Sequence, residues 1–233
     1  MAGEAVAELL CPSCGAPVPL AGAALPYAVC GNCQTLILRE GDDIRAIGKS
    51  AVLPFDVSPI QVGTHGTADG QRFTVIGRVR WGWSDGSWNE WLLEVANGSA
   101  VGTAWLAEAM GLYMLLAEAP DVLETPVGRA FAGGATITPG ATIDVKGAHF
   151  TATDIKQAQC LGGEGNLPFA CRPDWTQTSI DFRSADGGAL SLQKDADGAS
   201  AWLGRYVALD ELKPTGLRRI AGWHLPASLQ GAA

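Results

Sequence analysis

Slid along itself by 77 residues, the chain superimposes Ile60 on Ile137, Gly63 on Gly140, Gly70 on Gly147, Phe73 on Phe150 and Thr74 on Thr151. Further along, the offset becomes 89 and pairs Trp91 with Ile180, Leu93 with Phe182, Asn97 with Asp186 and Gly98 with Gly187. Glycines and aromatics recurring at one spacing mark a duplicated supersecondary unit, whose copies bury their apolar faces against each other or in separate small cores. The growth from 77 to 89 gives the second copy twelve extra residues, within Ala158–Trp175, AQCLGGEGNLPFACRPDW. A scaffold that repeats without such an insert does not need it, so function is expected there.

The repeated unit reads as β-structure. From Arg72 to Trp81 the residues Phe73, Val75, Gly77, Val79 and Trp81 fall on one side and Arg72, Thr74, Arg78 and Arg80 mostly on the other, the period-2 pattern of a strand with one buried face. WSDGS supplies a turn, Trp88–Ala96 resumes the strand pattern, and Asn97-Gly98 is a strong hairpin dipeptide. Residues 105–119, WLAEAMGLYMLLAEA, favour helix on propensity but contain Gly111. A hairpin turning at Ala109–Gly111 would continue the meander, and a strand pattern shared by both copies favours it. The 30 Gly and 13 Pro of the 233 residues also suit many short elements.

The expected fold is therefore mainly β: two antiparallel pseudo-repeats forming a sandwich or a barrel-like domain. Residues 58–125 hold the first copy, 126–220 the second, and 221–233 a tail that frays from about Pro226. Ahead of them, residues 1–40 form a small ribbon and 41–57 a linker or lead-in strand.

The ribbon rests on Cys11-Pro-Ser-Cys14 and Cys30-Gly-Asn-Cys33, two C-x2-C pairs with fifteen residues between them, the spacing of a four-cysteine zinc site. Iron held as in rubredoxin is the alternative ion; two disulfides are disfavoured because each loop is short and nothing else indicates an oxidising compartment. Four thiolates leave no position open for water, so the Zn2+ expected here is structural. Cys160 and Cys171 flank the insert and are expected as buried free thiols, with a redox bridge or a second metal pair as alternatives.

A net charge of -8 excludes a surface built to track phosphates, so no nucleic acid is expected. Neither a secretory leader nor a window of about 20 apolar residues is present, which suggests a cytoplasmic location. Five of the eight tryptophans lie between Ile60 and Glu108. Trp83, Trp88, Trp91 and Trp105, with Glu90 and Glu108, could line a cleft for a cation such as a polyamine; the alternative is plain packing, with the carboxylates paired to Arg78 and Arg80. Glu164, in the glycine-flanked GGEGN, is the best single candidate for an acid, a base or a ligand contact; a turn residue is its alternative. None of His65, His149 and His224 lies in a nucleophile motif, and no GxSxG, P-loop or HExxH occurs.

SPIQVGTHGTADGQRFTVIGRVRW from Ser58, WNEWLL at Trp88–Leu93, WLAEAMGLYML from Trp105 and EGNLPF at Glu164–Phe169 together resemble the domain of unknown function 4178 family, from Ser58 to about Arg219. The resemblance implies a bacterial protein with no assigned activity, an N-terminal zinc knuckle pair as usual companion, and a link to polyamine or membrane-associated systems. Where that family reads an aromatic, this chain has SLQKD at Ser191–Asp195. The expected function is a non-catalytic adaptor or binding protein, whose partner is another protein, such as a membrane protein, or a small cationic ligand. An enzyme using Glu164 and Glu90 as acid and base is the alternative.

Overall fold

The two copies fold alike, down to individual backbone hydrogen bonds. A computed structural model describes residues 9–21, 25–41, 43–51, 53, 58–98, 100–221 and 225–232. His224 lies outside them. The ribbon contains β1 (Leu9–Leu10), β2 (Pro17–Val18), β3 (Tyr27–Val29) and β4 (Thr35–Glu40), followed by β5 (Asp43–Lys49). The first copy comprises β6 (His65–Ala68), β7 (Gln71–Trp83), β8 (Gly86–Asn97), β9 (Ala100–Ala109) and β10 (Leu112–Glu118). After a short helix α1 (Pro126–Ala132), the second comprises β11 (Thr142–Val145), β12 (Ala148–Leu167), β13 (Thr176–Ser184), β14 (Gly188–Lys194) and β15 (Ala199–Val207).

Asp69-Gly70 and Lys146-Gly147 make matching turns with all four residues at positive φ (51°, 78°, 51° and 82°), the geometry whose twist suits an antiparallel hairpin. Val75 N donates to Thr64 O at 2.8 Å, as Ala152 N does to Ala141 O. Both copies then bulge one residue later, between Val75 and Gly77 and between Ala152 and Asp154. The segment 105–119 is the expected hairpin: β9 and β10 turn at Met110-Gly111, again with both φ positive, and Tyr113 pairs with Glu108. Tertiary pairing here overrides helix propensity.

Eight strands close into a ring in the order β7-β8-β9-β10-β15-β14-β13-β12, with β12 returning to β7. All the pairings are antiparallel. The extra residues of the second copy supply this closure. β12 has 20 residues against 13 in β7; its Cys160–Gly165 pairs with Trp81–Gly77, and Gly165–Leu167 pairs with Val29–Tyr27 of the ribbon. An insert expected as a loop carrying function is thus a stretch of strand that seals the barrel and docks the ribbon. Glycine at 77 is required by that approach, since a Cβ there would sit 1.9 Å from Asn166 O. The stretch 41–57 carries β5, which pairs with β4 and extends the same sheet.

Alternation gives each strand one face outside the ring and one inside. Outside the first copy, Phe73, Val75, Trp91, Leu93, Leu106 and Tyr113 pack under Ile60 and the C-terminal Leu212, Leu217 and Leu229. The tail, expected to fray, is held there: Leu217 N donates to Ala232 O at 2.8 Å, and Leu229 is buried. Outside the second copy, Phe150, Ile180, Phe182, Leu190 and Leu192 pack under Val122, Phe131, Ile143 and Val145. With about 1.5–3 kcal/mol gained per fully buried large apolar side chain, these outer layers are major cores. The interior of the ring mixes tryptophans with polar residues.

Candidate functional site

Two places gather chemistry. In the ribbon, the sulfurs of Cys11, Cys14, Cys30 and Cys33 all lie within 4.8 Å of one another, with Cys11–Cys33 and Cys14–Cys30 separations of 3.7 Å. That is far beyond a disulfide's ~2.05 Å and close to the ~3.8 Å between ligands of a tetrahedral ion with ~2.3 Å metal–sulfur bonds. Each knuckle ends on a left-handed residue, Gly15 (φ 73°) and Gln34 (φ 60°), whose N–H donates back to the carbonyl of Cys11 or Cys30 at 2.9 Å. Asn32 Nδ2 donates to Cys14 Sγ at 3.5 Å, and Thr35 Oγ1 lies 3.1 Å from Cys33 Sγ. The four cysteines can hold a metal ion.

The second place is the lumen of the ring, a cavity of about 570 Å³. Its walls differ. β7–β10 present Trp81, Trp83, Trp88, Leu92, Trp105 and Met114, with Glu90 among them; β12–β15 present Lys156, Gln177, Ser179, Asp181, Ser191, Gln193 and Trp202. Trp175 and Phe169 of the insert complete a continuous aromatic belt. Trp81 meets Trp175 at 4.7 Å between ring centroids, Trp175 meets Phe169 at 4.7 Å, and Phe169 stacks on Trp105 at 5.8 Å and 1°.

Glu90 is enclosed by this belt. Its Oε2 accepts from Trp81 Nε1 at 2.9 Å, and its Oε1 accepts from Trp88 Nε1 at 3.0 Å and from Gln193 Nε2 at 2.8 Å. β8 and β14 are not neighbours, so the Gln193 bond crosses the lumen. Burial drives the Glu90 pKa up against the effect of the three donors. Asp181 is pushed up to about 6, first by burial and then by the charges of Glu90 and Asp154, against a hydrogen bond from Ser191. Lys156 pairs with Asp154 at 2.6 Å and holds its ammonium 5.4 Å from the Trp83 ring. Gln177, 5% exposed, has no hydrogen-bond partner for its Nε2 among the described residues.

The sequence candidates divide between the two faces of the sheet. Trp83, Trp88, Glu90 and Trp105 line the lumen. Trp91 and the Glu108 carboxylate face outward: Glu108 Oε2 accepts from Trp91 Nε1 at 2.9 Å and Asn89 Nδ2 at 3.2 Å, and Arg78 lies 4.7 Å over the Trp91 ring. Burial lowers the Arg78 pKa to about 10, opposed by the charge of Glu164. Glu164, with a side chain 42% exposed, approaches Arg78 Nη1 at 3.6 Å. Arg78 and Val79 are consecutive on β7 and face opposite ways, and Glu90 pairs opposite Val79. Glu164 and Glu90 therefore lie on opposite sides of the wall and cannot act as an acid–base pair on one substrate. Cys160 and Cys171 are both free and buried. His65 is exposed, and exposed His149 lies 2.8 Å from Asp144.

The lumen residues Gln177, Asp181, Ser191 and Gln193 escaped the sequence reading, although the alternation of Gln177, Ser179 and Asp181 with Thr178, Ile180 and Phe182 was available. An alternating strand is normally read as polar face to solvent; ring closure turned that face inward.

Fold and site together define a closed, duplicated eight-stranded barrel whose lumen has one aromatic and one polar wall, joined through one strand to a four-cysteine ribbon. Residues 61–209 match the family described as Domain of unknown function (DUF4178), and the chain belongs to it. No curated protein and no solved structure matches the chain. Among the described residues, no helix is long and apolar enough to cross a membrane.

Proposed function

We propose that this protein is a non-catalytic binding protein whose lumen takes a small organic cation and whose ribbon carries a structural zinc ion. Glu90 carries the reading. Its three hydrogen-bond partners among the described residues, Trp81, Trp88 and Gln193, are all neutral, so once ionised it is a buried anion to which no cation among those residues is bonded. A desolvated carboxylate among indole faces attracts an ammonium both by charge and by the ring quadrupoles. Lys156 over Trp83 already rests an ammonium on one ring of this wall. Four thiolates fill a tetrahedral ion's coordination, which leaves the metal to hold the ribbon rather than to bind substrate.

Isothermal titration with tetramethylammonium and with spermidine tests the lumen. Saturable binding is expected to wild type and not to Glu90→Gln, whose circular dichroism should match wild type. Absence of heat with wild type for both cations at millimolar concentration would sink the reading.

A further inference from the structure

Resting on that reading of the lumen, we propose that the cation is the head of a single-chain amphiphile, an ammonium with an oxygen near it, whose apolar tail leaves the ring past Met110 and Leu112. Three observations converge. First, Met110 and Leu112 are 89% and 52% exposed, and both border the cavity that holds Glu90. Met110 occupies a left-handed turn position at φ 48°, where Asn, Asp or Gly would fit the backbone better. An exposed methionine there is costly to the turn and useless to the core, so its side chain serves something outside both.

Second, Leu112, Met114 and Leu116 follow one another at every second residue of β10 and all line the cavity. They make an apolar track from solvent to the aromatic belt. The facing wall of β13 and β14 is polar, so the lumen is two-sided: a surface for hydrocarbon opposite a surface for hydrogen bonds. Third, Gln177 Nε2 is a buried donor without a partner among the described residues, and such a donor is costly unless an acceptor meets it. An oxygen beside the ammonium, as in an ester, ether or alcohol of an amino alcohol, supplies that acceptor. The volume of about 570 Å³ falls in the range of roughly 300–1,000 Å³ that suits one drug-sized ligand, so the occupant is a monomer taken from solution rather than a lipid held in a bilayer.

The full chain would be titrated with alkyltrimethylammonium ions from methyl to dodecyl, each below its micelle concentration, and with alkyl sulfates of the same lengths. Affinity for the ammonium series should rise about fourfold per added CH2 over the first several carbons and then level off; the sulfates should not bind. A Met110→Asn, Leu112→Thr variant, with Asn suited to the left-handed turn, should flatten the chain-length dependence and leave the shortest member's affinity unchanged. A wild-type series with no dependence on length, or one whose slope the variant leaves intact, overturns the proposal while the cation site stands. Equal binding of sulfates and ammoniums, or no binding by any member, overturns the cation site itself. Co-sedimentation of wild type, but not the variant, with phosphatidylcholine vesicles would replace the soluble monomer with a membrane lipid and overturn that part.

Discussion

Replacing Asp181 with Asn measures how much unneutralised negative charge the lumen stores. The carboxyl titrates near 6 in the folded protein and near 3.9 in an unfolded chain. Because the folded value is the higher one, its contribution to stability is fully present below about pH 4 and is lost as pH rises through about 6. Above both values the full difference corresponds to about 3 kcal/mol; solvent reaching the half-buried carboxyl through the open cavity reduces this to about 1–2 kcal/mol. The variant keeps a hydrogen-bonding group beside Ser191 and lacks the charge. Urea unfolding at pH 4, 6 and 7.5 should therefore show the Asn variant level with wild type at pH 4 and about 1–2 kcal/mol more stable at pH 7.5. Protonation of the ribbon cysteines at low pH affects both proteins alike and cancels in the difference. A variant no more stable than wild type at pH 7.5, or a difference that does not change with pH, would refute the reasoning.

Gly77→Ala drives a Cβ to 1.9 Å from Asn166 O at the seam of the ring and should cost about 3 kcal/mol or more, read by thermal unfolding; a loss under 1 kcal/mol would mean that β12 can shift. Arg78→Met strips the Asn89–Glu108–Trp91 cluster of its buried cation and should cost about 2–4 kcal/mol. Glu164→Gln, at the half-exposed end of the same pair, should cost under ~1 kcal/mol and leave ligand titrations unchanged. Metal analysis should find about one zinc per chain, and Cys30→Ser should lose it; full metal in that variant would exclude the site.

Much of the scaffold was legible because it is written in local signals. Asp69-Gly70 and the paired Gly63 and Gly140 fix turns through their own backbone conformations, and two C-x2-C pairs need only close neighbours to make a knuckle. Ring closure was illegible, because Glu164-Gly165 pairs with Arg78-Gly77 across a long stretch of sequence and no local pattern announces a distant partner. The same gap explains Glu164: its glycines suggested a functional loop, whereas Gly163 and Gly165 are small because Cys171 and the Ile76 carbonyl press against them. Glu90 was found from its tryptophan neighbours, but Trp88 and Trp91 were grouped although three residues apart on a strand they face opposite ways. The polar lumen wall was missed for want of the closure that encloses it.

A four-stranded meander standing alone would leave β7 and β10 with unsatisfied backbone edges. The ring satisfies both through two antiparallel seams between the copies, β10 with β15 and β7 with β12. Two separate chains, each bearing the longer copy with its closing residues, would close a ring of this kind as a symmetric dimer. Such a dimer would present identical walls to its lumen. Fusing the copies removes that constraint: Trp88 faces the interior from one half, and Gln177, its counterpart at the offset of 89, from the other. An asymmetric guest, oily along one side and polar along the other, becomes recognisable only once the two halves are free to mutate apart.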